Sequence, residues 1–186
     1  AVGRQHEGVE LPHPRGAALH ALMQDYDKTV VAGMLCEDTS TGRVRTIAGR
    51  PQAFYQLAEF DAQKLIRGVA LLAELLFAAG ARRIATPFAG VPELTRADDT
   101  RALYAHAIPR RAMEVVTVHM MGTAAMGGDR ARAVTDGHGL VHDADRLMVC
   151  DASLFPTPIG VNPMETIMAL ATRAAAHILD NHHQFA

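Results

Sequence analysis

Cysteine is scarce in this 186-residue chain: only Cys36 and Cys150 occur. They allow one disulfide at most, and nothing in their spacing indicates it. Each sits in an apolar run that reads as a buried strand, so two buried thiols are the simpler expectation, and the compartment is left open. An excess of positive charge is missing too. Lys and Arg number 18 against 20 Asp and Glu, a formal net charge of -2, which removes the basic footprint a nucleic-acid partner needs. The longest apolar stretch, residues 68–81, is interrupted by Glu74 and is too short to span a bilayer. No signal peptide, internal repeat or low-complexity tract is visible, so a cytoplasmic place is slightly favoured and membrane association stays open. An initiator Met is also lacking: the chain opens on Ala1, which reads as a fragment, a processed product or part of something longer.

Nearly half of the residues are apolar and a fifth are charged, with ten scattered His. That is ordinary globular usage, with length enough for one or two small domains. Residues 1–25 are punctuated by Pro12, Pro14 and Gly16 and read as irregular, with a short helix at 17–25. Thr29 to Cys36 (TVVAGMLC) is rich in strand formers, residues 38–42 form a turn, and 43–47 alternates as RVRTI; the pair reads as a hairpin with one exposed face, with a third strand at 52–57. Leu65, Ile66, Val69, Leu72, Leu75 and Leu76 repeat at spacings of three and four and predict a helix over 61–79, with Asp61 as N-cap and Gly80 just past its end. A short strand at 82–86, a connector with a helix near 98–106, buried strands at 113–118 and 146–150, and a long Gly-rich loop at 122–145 follow. Asn162 and Pro163 open a final helix reaching about Asn181, with Asn162 as cap and Pro163 in the first turn. Strands followed by helices predict an α+β arrangement in which a helix covers a sheet face.

Two segments carry chemistry. In V-H-M-M-G-T-A-A-M-G, His119 ends a predicted strand ahead of a Gly-rich turn, a place where a pocket can open beside an imidazole. The plainer reading is a hydrogen-bonded loop histidine, and for one motif alone it is the better one. In D-A-S-L-F-P-T-P-I-G-V-N-P-M-E-T-I, residues 151–167, a turn delivers the chain to a helix start, whose free N–H groups suit an anion or an electron-rich carbonyl. The plainer reading there is an ordinary helix whose Asn162 bonds its own backbone.

Taken together, the segments carry a more specific signal. H-x-x-G-T-x-x-M-G, then D-A-S-x-F-P-T, then V-N-P-x-x-T-I about forty residues after the histidine resembles the end of the glucose–methanol–choline (GMC) oxidoreductases. The likeness is nearest to the bacterial branch of long-chain alcohol oxidases, cholesterol oxidases and sugar dehydrogenases. It is specific over residues 118–180 and weaker over 27–86. The resemblance implies a FAD-dependent oxidoreductase acting on the CH–OH group of a small-molecule alcohol. It implies His119 as catalytic base and Asn162 at the second active-site position. It also implies cofactor contacts from Asp151 and Ala152 along the turn, and from Asn162, Pro163 and Met164 at the flavin's pyrimidine end. The chain departs from the branch at Ala124-Ala125, where relatives often carry Cys-Arg.

By the same resemblance, residues 1–117 are a portion of the substrate-binding domain. Residues 118–186 supply the strand and helix that complete a FAD-binding domain begun elsewhere. The family's G-x-G-x-x-G nucleotide turn does not occur in this sequence, so a second chain or a missing segment is expected to carry it. The rival reading is a non-catalytic partner subunit that structurally completes another chain; retention of both His119 and Asn162 argues against it. A metal site at His119, His138 and His142 is a weaker reading, because those positions lie on a Gly-rich loop with no carboxylates converging on it. No metal is expected, nor is a nucleic-acid partner.

Overall fold

The computed structural model describes residues 16–105, 107–117 and 119–184. The irregular opening expected before residue 16 lies outside the described residues. So do His106 and Val118, the residue preceding the candidate base. The chain divides into two compact units, Ala1–Val116 and Thr117–Ala186.

The first unit is α+β. It contains α1 (Ala17–Gln24), an antiparallel hairpin of β1 (Arg43–Ile47) and β2 (Arg50–Phe54), α2 (Glu59–Ala78) and α3 (Thr100–Ala105). The hairpin pairs Arg43 with Phe54 and Ile47 with Arg50. Its two-residue turn, Ala48-Gly49, has both φ angles positive, at 50° and 74°, the backbone that matches strand twist. The turn expected at residues 38–42 is therefore displaced: RVRTI pairs with the segment after it rather than the one before. Thr29–Cys36 forms no strand, and Val30 and Val31 are 78% and 95% exposed. A strand needs a neighbour to take its N–H and C=O groups, and among the described residues this segment has none. The hairpin's side chains are exposed on both faces, not one.

α2 starts two residues before the expected position. Ala58 is its N-cap and Asp61 stands in its first turn. Gly80 follows the C-cap with φ 100°, and the N–H groups of Gly80 and Ala81 bond to the carbonyls of Phe77 and Leu76, a Schellman ending. The most buried stripe is Ala62, Ile66, Ala70 and Ala73, whereas Leu71 and Leu75 are exposed. Small residues let neighbouring backbone come close, so they occupy the centre of the contact. That stripe packs with Phe88, Leu94, Leu103, Ile108, Ala112 and Met113. The strand expected at 82–86 is a single bridge, Ile84 to Leu94, and that at 113–118 a single bridge, Phe88 to Met113, after which Val115 and Val116 are exposed. The charged run at 96–101 is a capped turn: the Asp99 carboxylate accepts from the N–H groups of Thr95 and Arg96.

Asp61 anchors the coil to α2. Its fully buried carboxylate accepts from the Thr39 N–H, the Thr39 hydroxyl and the Ser40 hydroxyl, with Lys64 at 2.9 Å. Burial pushes this carboxyl up, but the Lys64 ammonium and the Thr39 and Ser40 donors outweigh it and hold it well below the usual carboxylate range.

The second unit is mostly irregular chain followed by α4 (Met164–Asp180). The strand expected at 146–150 is a single bridge, Leu140 to Met148. Both cysteines are free. Cys36 is half-buried and Cys150 exposed, which corrects the expectation of two buried thiols.

Candidate functional site

The long loop is built around residues 124–127, which bond to neighbours on both sides. On one side the N–H groups of Ala124 and Met126 donate to the carbonyls of Ser153 and Leu154, at 3.0 and 2.9 Å. On the other, the N–H groups of Val134 and Thr135 donate to Ala125 O, and Gly127 N–H donates to Thr135 O. Thr135 is fully buried, with its hydroxyl 3.4 Å from Ala124 O. The bed continues through Asp136, whose carboxylate accepts the N–H groups of His138 and Leu140, to Gly139 and Val149. Gly139 has φ 89°, and a Cβ there would stand 2.2 Å from Val149 O, so no side chain fits.

This bed brings the two chemistry-bearing segments together. The H-x-x-G-T-x-x-M-G stretch lies along the D-A-S-L-F-P turn, joined by main-chain bonds that no periodicity announces. His119 is half-buried, and its N–H donates to the Thr117 hydroxyl at 3.3 Å. Its ring makes no hydrogen bond among the described residues. Asp151 is exposed and caps the short turn Ala152–Leu154, accepting from the Ser153 N–H; Ala152 is half-buried.

Asn162 is displaced from its expected role. The N-cap of α4 is Pro163, which is buried, and no side chain caps the helix. Asn162 stands one residue earlier, exposed, and its amide is not spent on the backbone. The first bond into the helix is Ile167 N–H to Pro163 O. The N–H groups of Met164, Glu165 and Thr166 thus open the helix without a partner among the described residues and carry its positive partial charge. His177 lies in the last turn of α4. No hydrogen bond joins His119 to Asn162 among the described residues. His142 stands with Nε2 3.0 Å from Gly127 O, and His138 stacks on His177 with ring centroids 4.1 Å apart. The supporting roles of Ser153, Thr135 and His142 were not read from the sequence, although His142 was weighed there as a metal ligand. Only Ser153 had a signal, as the acceptor-facing residue of an Asp-x-Ser turn.

Residues 38–171 match the profile of the family described as GMC oxidoreductase, more than half of the chain. This chain belongs to the GMC oxidoreductase family. An uncharacterised GMC-type oxidoreductase of Sinorhizobium fredii is 34% identical over 142 residues, covering 75% of this chain and 28% of that protein. A long-chain-alcohol oxidase of Arabidopsis thaliana is 26% identical over 184 residues, covering 92% and 24%. The fold is similar to that in the crystal structure of pyridoxine 4-oxidase from Mesorbium loti, with a TM-score of 0.54 at 24% identity over 79% of this chain and 28% of that one. The chain spans about a quarter of the length of the curated relatives it matches. Among the described residues, no helix is long and apolar enough to cross a membrane.

Proposed function

We propose that this chain is the carboxy-terminal part of a FAD-dependent alcohol oxidoreductase, with residues 1–117 contributing to substrate binding and 118–186 completing the flavin site. The observation that supports it most is the pair of bonds from Ala124 and Met126 to Ser153 and Leu154. They hold the loop of His119 against the turn that leads to Asn162, in a chain whose family is established.

The residues present fit a flavin. Three N–H groups at the start of α4, without a partner among the described residues, suit the negative charge of a reduced isoalloxazine, and the Asn162 amide, which makes no cap there, stands one residue before the cap. When bound, the flavin would supply the two-electron acceptor for the hydride of the carbinol carbon. His119 takes the hydroxyl proton at an imidazole nitrogen, the side chain suited to that task near neutral pH. Asn162 donates its amide N–H to the substrate oxygen and holds the C–H bond in line for transfer without competing for the proton. Pro163 and Met164 would hold the cofactor's pyrimidine end, and Asp151 and Ala152 would lie along it. The nucleotide half of FAD is held by sequence carrying the glycine-rich turn, in a second chain or another segment.

The test is His119→Ala in the flavin-loaded protein. Flavin absorbance is expected to stay, while bleaching by alcohol slows at least about 100-fold. Near-normal bleaching removes His119 as base. Asn162→Asp places a charge beside the reduced flavin and should lower its potential; an unchanged potential removes Asn162 from the flavin's side.

A further inference from the structure

The Asp151 carboxylate has a task that flavin contact alone does not explain. Its Oδ1 accepts both the hydroxyl and the backbone N–H of Ser153. The Ser153 hydroxyl first, then the N–H, hold this carboxyl below its ordinary range. The turn so pinned presents three successive carbonyls to the loop that follows His119. Ser153 O receives Ala124 N–H and Leu154 O receives Met126 N–H. Phe155 O lies against Gly122, where a Cβ would come within 3.3 Å. The far side of the same loop is held by Thr135, which is fully buried. One carboxylate oxygen thus orients the surface on which residues 122–126 dock, beginning three residues after His119.

We propose that Asp151 is a positioning residue: through Ser153 it sets the register of the 122–126 loop and so the stand of the His119 imidazole. The inference rests on the proposed function for its link to catalysis. The competing role is electrostatic, with the carboxylate acting on the cofactor by its charge. Asparagine separates the two, since its carbonyl can accept both Ser153 donors without charge, whereas alanine removes acceptor and charge together.

The experiment compares wild type, Asp151→Ala and Asp151→Asn in the flavin-loaded protein carrying this chain. It reads amide exchange at Ala124 and Met126, kcat and KM for the alcohol, and the flavin potential. In Asp151→Ala the two amides should exchange roughly tenfold faster or more, as the loss of a supporting bond allows. There kcat should fall on the order of tenfold or more with KM little moved, the pattern of a misplaced group that acts in the transition state. Asp151→Asn should restore both most of the way from the Asp151→Ala level toward wild type, whichever way the lost charge moves the potential. Unchanged protection in Asp151→Ala overturns the proposal. So does an Asn variant as impaired as the Ala variant with a shifted potential, which assigns the charge role instead. Should Asp151→Ala fail to fold, Ser153→Ala removes the hydroxyl donor alone and should raise exchange at the same amides by a smaller factor; no rise overturns the assignment. A wild type that holds no flavin, or is not bleached by alcohols, fails the proposed function instead, and the exchange measurements still decide the register.

Discussion

In the first unit α2 buries Ala62, Ile66, Ala70 and Ala73 among Phe88, Leu94, Leu103 and Met113. In the second, the buried apolar side chains among the described residues are Leu154, Phe155, Pro163 and Ala174, and the loops are joined by main-chain bonds running from Ser153 through Ala125 to Val149. One unit is held by apolar area removed from water, the other by directional bonds between backbone groups. The difference has a functional logic. A hydrophobic stripe tolerates substitution of similar volume, whereas a bonded loop has one register and can hold a side chain at a defined place without burying it.

The comparison can be broken first at its largest side-chain term. Phe88 is 2% exposed in the first unit's core, and Phe88→Ala should cost about 3–5 kcal/mol. Denaturant unfolding should lose that stability while amide protection at residues 124–149 persists; loss of protection there would mean that the units do not stand independently. Gly139→Ala tests the other side. The positive φ costs roughly 1–3 kcal/mol for a residue with a Cβ, and Val149 O blocks the space. Exchange should rise across 124–149 with α2 untouched.

A smaller effect comes from Asp61, the first unit's main polar anchor. Its folded carboxyl lies below the ordinary value of 3.8. The stability it contributes is therefore present above that pH and lost as pH falls toward the folded value. Asp61→Asn should lower the melting temperature by several degrees at neutral pH and flatten the acid limb of a stability profile; an unchanged acid limb removes Asp61 as its cause. The smallest effect belongs to Tyr55, which donates to Asp38. Burial, then the bond to Asp38, pushes its phenol up to about 12 from 10.0. The associated stability is present below pH 10 and lost as pH rises from 10 to about 12. Tyr55→Phe should cost less than about 1 kcal/mol at neutral pH and remove that alkaline slope.

Legibility followed the same division. α2 could be read from its leucine spacing to within two residues at its start, and Gly80 marked its end. β1 and β2 were readable as strands, but their partners were not, because pairing depends on where the chain can turn back. Ala48-Gly49 has no strong turn signal, while residues 38–42 have one and instead serve Asp61. The segments at 29–36, 113–118 and 146–150 share a strand's composition but lack a complete ladder of neighbours among the described residues. In the second unit, the stretch before α4 has no periodicity to read. His119, Asp151 and Asn162 were found through three motifs in fixed order, and the bed that supports them, through Thr135, Asp136 and Gly139, was not found.

The sequence by itself determined the family and the helices, and it nominated His119 and Asn162 for the proposed chemistry, because residue type and local spacing encode those directly. Only the tertiary structure decided that Pro163 rather than Asn162 caps α4 and that Asp61 holds the coil rather than the helix end. Tertiary structure also decided that Asp151 faces Ser153 beneath the loop of His119. Each is a choice among acceptors for one donor or carboxylate, and that choice is settled by which backbone groups the fold brings within about 3 Å.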